Sequence, residues 1–191
     1  MRRTHHVAAS FCTLALLWTA CAAEVRETGK QEIKAGAEKA AGAATAVDPA
    51  ELLPNGKIPV EGVLAGGQPT EAQLAHARDL GYRTVVNLRT PGEEGATTPG
   101  EVESLGMKYV AFPIAGPADL DEAHARQFAE ILAKAERPVI IHCASGNRVG
   151  ALFAMKAWLV DGKPPAEALE LGKAAGLTHL EPAVREKMGL H

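Results

Sequence analysis

The stretch Val139-Ile140-Ile141-His142-Cys143-Ala144-Ser145-Gly146-Asn147-Arg148-Val149-Gly150 decides how the rest of the chain is read. It opens on a short aliphatic run after Pro138, the pattern of a strand buried on both faces in a parallel sheet. It then passes through a small-residue turn and enters a helical pattern at Ala151-Leu152-Phe153. A strand, a tight loop and a helix start gather successive backbone N–H groups around one point. The positive end of the helix dipole is aimed at that point, so the arrangement is an anion site. The same field favours a thiolate over a thiol, and Cys143 at the head of the loop reads as a nucleophile. Gly146 lets the backbone curl without a side chain blocking the anion. Arg148 can grip two oxygens at once with its planar fork. Ala144, Ser145, Gly146, Asn147 and Val149 are expected to line the bound anion, although Ser145 and Asn147 also suit a plain turn.

Working outward, strand-like and helix-like pieces alternate, which argues for an α/β fold: a small, mostly parallel central sheet flanked by helices. Residues 58–65 read as a first strand. Thr70 with Gln73 three residues on forms a capping box for a helix that runs to Leu80 and stops at Gly81. Residues 84–88 form a β-branched strand, residues 101–105 a brief helix, and residues 108–114 another strand. Ala125, Phe128, Ala129 and Leu132 recur at helical spacing. Three helices are expected after Arg148, over residues 149–160, 165–174 and 180–188. Phe153, Trp158 and Leu159 belong to the core.

The chain has 191 residues, 47% of them apolar, and a formal net charge of −3, which suits one globular domain with some extra chain and gives no footprint for nucleic acid. Met1-Arg2-Arg3 followed by an apolar run over residues 7–23 has the layout of an export signal. A stable membrane span needs about 20 apolar residues. Leu17-Trp18-Thr19-Ala20-Cys21 resembles a bacterial lipoprotein box, while Ala20-Cys21-Ala22 suits ordinary signal peptidase. The expected location is therefore periplasmic, or tethered to the membrane and facing the periplasm through a lipid on Cys21. Residues 24–51 are rich in Ala, Glu, Lys and Gly with no face to bury, and read as a linker. Residues 52–191 form the domain. Once the signal is set aside only Cys143 remains, and a lone thiol in an oxidising compartment is either buried and inert or kept for reactivity.

His142-Cys143, Gly146 and Arg148 resemble the signature of the dual-specificity and tyrosine phosphatase superfamily. The wider frame is similar to its bacterial beta-lactamase-hydrolase-like branch: Gly67-Gln68-Pro69-Thr70, then Val85-Val86-Asn87-Leu88-Arg89 with Glu93 and Glu94, then Tyr109-Val110-Ala111-Phe112-Pro113. The resemblance implies a phosphatase-like fold and hydrolysis of phosphomonoesters, protein or small molecule, through a phosphocysteine. It implies no cofactor. His142 would then hydrogen-bond backbone to orient the loop and favour the thiolate. Two departures matter. Four residues separate Cys143 from Arg148 where the common signature has five, a length shared with rhodanese-type sulfurtransferases. Val149 also stands where that signature has a hydroxyl that helps the sulfur leave.

The mechanism needs an acid for the leaving oxygen and then a base for water. The resemblance places it in the loop after residues 108–114, where Ala115 occupies the first position and Asp119, Asp121 and Glu122 follow. Asp119 is the first candidate, yet Asp119 with Glu122 also reads as a helix-capping pair. Arg89 with Glu93 or Glu94 reads as a structural ion pair, and Gln68 as a turn residue that can face the site. His76, His124 and His179 show no ligand clustering with Cys143, so no metal is expected. Besides phosphatase activity, sulfur transfer through a Cys143 persulfide and non-catalytic anion or phosphopeptide binding remain open.

Overall fold

The computed structural model describes residues 47–190, so the signal and most of the linker lie outside the described residues. In chain order the elements are α1 (Pro49–Leu52), β1 (Lys57–Val60), β2 (Val63–Gly66), α2 (Glu71–Asp79), β3 (Thr84–Asn87), α3 (Pro99–Ser104), β4 (Lys108–Ala111), a 3₁₀ turn (Pro117–Asp119), α4 (Glu122–Lys134), β5 (Val139–His142), α5 (Asn147–Leu159), α6 (Pro165–Ala174) and α7 (Glu181–Met188). None of the described helices is long and apolar enough to cross a membrane.

The five strands lie in the order β1-β2-β5-β3-β4, all parallel except β1, which pairs antiparallel with β2. The single strand expected over residues 58–65 is therefore a hairpin, broken at Glu61-Gly62, where Gly62 takes φ +72°. Glycine adopts that left-handed backbone without steric cost. β5 is the central strand, buried at every residue, as its aliphatic run requires. Successive side chains on a strand face opposite sides. Ile141 and Val139 thus join Val63, Ala65 and Val86 beneath α4 to α7, while Ile140 joins Leu64 and Val85 beneath α1 to α3. Full burial of each such side chain stabilises the fold by about 1.5–3 kcal/mol.

Local signals fix the helix starts. Thr70 caps α2 with the reciprocal Gln73 bond, as the sequence predicts, and Thr98 does the same for α3 with Glu101. Asp48 caps α1, whose Leu52 is buried with the adjoining Leu53. Register then aligns the functional edge: His142 pairs with Gly66 on one side and with Asn87 on the other, and Asn87 pairs with Ala111. All four parallel strands therefore end on one level. The segments that follow them emerge side by side, where ligands bind in open α/β sheets.

Candidate active site

Beyond His142 the chain leaves β5, makes a short loop and enters α5 at Asn147. Gly146 is the N-cap residue at φ +93°, a left-handed turn that glycine accommodates. The loop is held against its neighbours. Gln68 N–H donates to Ala144 O at 3.2 Å, Asn55 Nδ2 donates to Ser145 O at 3.2 Å, and Cys143 N–H donates to Gly66 O at 3.2 Å. A Cβ on Gly67 would stand 3.0 Å from Ala144 O, so only glycine lets the two backbones approach this closely. Gly146 N–H points at the Cys143 sulfur, 3.1 Å away, and that sulfur is nearly enclosed, its residue 1% exposed. The N–H groups of Ala144, Ser145, Asn147, Arg148 and Val149 have no protein acceptor among the described residues. Ala144 and Ser145 are exposed and Asn147 and Arg148 half-buried, so these donors are open to water or to an anion.

Arg148 closes the loop from the first turn of α5. Nη1 donates to Glu93 Oε1 at 2.6 Å and to Ile114 O at 2.9 Å, and Nη2 donates to Glu93 Oε2 at 2.7 Å. A guanidinium has five N–H groups, and these bonds use three. Nε–H and the second Nη2–H, which lie along one edge, meet no oxygen acceptor among the described residues, and the guanidinium makes a weak contact with the Cys143 sulfur. Glu93 thus pins the end of the fork and leaves its side open. The Arg148 hydrogen bonds hold the Glu93 carboxyl well below the usual carboxylate range against the opposing effect of burial, with Thr90 assisting. Reciprocally, Glu93 is the largest cause of the raised Arg148 pKa, burial opposes it, and the adjoining Cys143 sulfur adds to the rise. Glu93 also accepts from Arg89 Nε at 3.1 Å, and Arg89 reaches Gln68 Oε1 at 2.9 Å. The Arg89–Glu93 pair predicted as structural is therefore structural to the site: it holds Arg148 indirectly. Sequence reading did not connect Glu93 to Arg148. The pointer to it was a carboxylate just past a strand that ends at the same sheet edge.

Two loop assignments change. Val149 is wholly buried in the core, so only its backbone N–H can serve an anion. Asn147 turns its side chain away from a lining role: Oδ1 accepts from Thr178 N at 2.9 Å, Thr178 Oγ1 at 3.2 Å and Leu180 N at 3.1 Å. His142 is fully buried with neither ring nitrogen in a well-formed hydrogen bond; burial lowers its pKa to about 4 and keeps the imidazole neutral, the Cys143 backbone beside the ring opposes that shift, and Arg89 and Arg148 add smaller lowering effects.

The acidic segment also departs from expectation. The residue that caps α4 is Asp121, accepting from His124 N at 2.9 Å and lying 2.8 Å from its ring Nδ1, and not Asp119. Asp119 ends the 3₁₀ turn and folds back, with Oδ2 accepting from Ala115 N–H at 2.6 Å. Ala115 follows Ile114, whose carbonyl is bonded to Arg148. The Asp119 carboxylate therefore sits one peptide unit from the group that holds the arginine. No cluster of three or more His, Cys, Asp or Glu side chains suited to a metal occurs among the described residues.

Comparison with known proteins agrees with this fold. Among solved structures, a provisionally assigned phosphatase of Neisseria meningitidis Z2491 superposes with a TM-score of 0.58 at 21% identity, covering 68% of this chain and 96% of that one. The active form of Tk-PTP gives 0.53 at 25% identity, covering 71% and 96%. Beta-lactamase hydrolase-like proteins of Xylella fastidiosa (strain Temecula1) and Agrobacterium fabrum (strain C58) are 31% and 32% identical over 122 and 123 residues, 61% of this chain. The matched stretch spans 28% of the length of those relatives. The family model described as a DSP-PTPase phosphatase fused to NAD+ kinase matches residues 58–178, from β1 to the turn beyond α6, with the Cys143–Arg148 loop inside the match. By that match, over more than half its length, the chain belongs to the DSP-PTPase phosphatase family.

Proposed function

We propose that this domain hydrolyses phosphomonoesters through a phosphocysteine on Cys143. The observation that carries the reading is the unpaired set of N–H donors around the Cys143 sulfur together with the free side edge of Arg148. A phosphoryl group presents three oxygens in a plane, and five backbone donors and a bidentate fork match that demand. In the first step the Cys143 thiolate attacks phosphorus, an S–P bond forms, and the P–O bond to the leaving group breaks as Asp119 supplies the proton. In the second, water attacks phosphorus, the S–P bond breaks back to the thiolate, and Asp119 takes up the proton. Glu93 holds Arg148 in place throughout. The export pattern of residues 1–23 supports action in the periplasm, either free or through a lipid on Cys21.

A second reading is favoured by the four-residue spacing between Cys143 and Arg148 and by the lack of a second cysteine among the described residues: sulfur transfer through a Cys143 persulfide. One experiment separates the two. The reduced full chain is assayed with 4-nitrophenyl phosphate and, separately, with thiosulfate and cyanide. Phosphate release that falls at least ~10³-fold in Cys143→Ser supports hydrolysis. Thiocyanate formation without phosphate release supports sulfur transfer. Neither product, with inorganic phosphate still binding, leaves the domain an anion-binding module.

A further inference from the structure

Just before β1 the chain turns over Leu53-Pro54-Asn55-Gly56, with Gly56 N–H donating to Leu53 O at 3.0 Å. Proline in the second position and a left-handed residue in the third, Asn55 at φ +55°, are the marks of a type II turn. Asparagine is among the side chains that tolerate that backbone best. The turn is anchored from two sides. Leu52 and Leu53 are buried with Leu64 and Leu74, and Pro54 O accepts from Gly67 N–H at 2.7 Å. A Cβ on Gly66 would stand 2.8 Å from the Leu53 Cβ, so the turn is pressed onto the end of β2. From there the Asn55 side chain reaches the cradle, where Nδ2 donates to Ser145 O at 3.2 Å. The turn lies before residue 58, where the family match begins.

Ser145 O belongs to the peptide unit that carries Gly146 N–H, the group that points at the Cys143 sulfur from 3.1 Å. That peptide is trans, and a trans peptide directs its C=O and its N–H to opposite sides. Holding the carbonyl outward therefore holds the N–H inward, on the sulfur. The preceding peptide is held in the same sense, with Ala144 O accepting from Gln68 N–H at 3.2 Å. A hydrogen bond to a thiolate is charge-assisted and depends on the donor's distance and angle. A carbonyl that accepts a bond also polarises its own N–H into a better donor. The titratable groups about the sulfur are Arg148, the Glu93 paired with it and the buried, neutral His142. Among the described residues Asn55 bonds to none of these.

We propose that Asn55 is a positioning residue: by holding Ser145 O it fixes the Ser145–Gly146 peptide with its N–H on the Cys143 sulfur, and so favours the thiolate over the thiol. The inference rests on the reading of Cys143 as the nucleophile. It adds a residue, outside the loop and outside the family match, that readies the sulfur. Asn55 acts through the peptide and makes no bond to the sulfur itself. A single hydrogen bond from an exposed side chain adds little to global stability, so its loss is read at the sulfur rather than in unfolding.

The test compares the full chain with its Asn55→Gly variant, which keeps the left-handed turn and removes the donor. Thiolate is followed by ultraviolet absorbance against pH, with Cys143→Ser in each background as the blank, so that the signal belongs to Cys143 alone. Asn55→Gly should carry about three- to tenfold less thiolate on the rising limb and reach the wild-type plateau at higher pH. Its urea midpoint should stay near the wild-type value. A profile that overlays the wild type overturns the inference. So does a displaced profile matched by a clearly lower urea midpoint, which would make Asn55 a residue of the fold alone. Absorbance needs no turnover, so a wild type that releases no phosphate from 4-nitrophenyl phosphate overturns the phosphatase reading, while a displaced Asn55→Gly profile still upholds this one.

Discussion

The loop over residues 143–148 and the segment over residues 115–121 face one another across Arg148, and they are held in different ways. The first is fastened from several directions: to Gly66 at the end of β2 and Gln68 beyond it, to Asn55, and through Arg148 to Glu93 beyond β3. The second is tied almost wholly to itself, by Asp119 to Ala115, Asp119 N to Gly116 O and Leu120 N to Pro117 O. Among the described residues, its link to the loop runs through the backbone carbonyl just before it, Ile114 O. Anion-holding groups need fixed geometry to act by preorganisation. A proton donor needs only to reach the leaving oxygen, whose position varies with the substrate.

That contrast can be broken first at Asp119. If the self-contained segment supplies the acid, Asp119→Asn should slow hydrolysis of alkyl phosphates by roughly 10²–10⁴ and that of 4-nitrophenyl phosphate far less. Steady-state rates on both substrates decide it, and equal losses on the two would assign Asp119 to structure alone.

The next effect concerns the foundation of the fastened loop. A neutral histidine whose folded pKa is about 4 binds fewer protons than its unfolded form below the ordinary value of 6.5, so stability falls as pH drops through that window. Full protonation corresponds to ~3 kcal/mol from this residue. Urea unfolding followed from pH 7 to pH 4 should show the decline, and His142→Asn should flatten it.

Glu93→Gln should lower kcat/KM by about 10- to 100-fold, the worth of charge-assisted hydrogen bonds that hold the fork. Because the folded Glu93 carboxyl titrates below its ordinary range, its contribution to stability is complete above that range and persists through mildly acid pH. The stability gap between wild type and Glu93→Gln should accordingly be the same at pH 7 and pH 5 by urea titration. A gap that closes by pH 5 would remove the pair from the argument.

Smallest is the cap of α4. Asp121→Ala should cost ~1 kcal/mol in thermal or urea unfolding and leave the rates on both phosphates unchanged, whereas Asp119→Ala should affect rates more than stability. The reverse pattern would exchange the two residues' roles.

The legibility of these regions followed sequence distance. The β5–α5 loop could be read because strand, turn, nucleophile and helix start are contiguous, and the buried run at residues 139–141 announces the central strand. Glu93 could not be tied to Arg148, since 55 residues separate them and only the register of β3 beside β5 brings them together. Asp119 and Asp121 carry the same chemistry two positions apart, and a capping pattern alone does not choose between them. Val149 and Asn147 read as residues that line the anion. The helix begins at Asn147, and that start rotates Val149 into the core and Asn147 toward Thr178. At residues 58–65 the apolar run masked the turn that Gly62 permits.

That hairpin also bears on how the protein behaves in a crowd of its own copies. An unpaired sheet edge is a template on which another chain can add a strand, and long, flat, apolar edges seed aggregation. β1 offers four residues, with Lys57 at one end and Pro59, which has no N–H to donate, inside it. Ile58 and Val60 are exposed there. Apolar surface at this edge is thus paired with a backbone poorly suited to propagate the sheet, and replacing Pro59 by valine would complete the template that the native sequence interrupts.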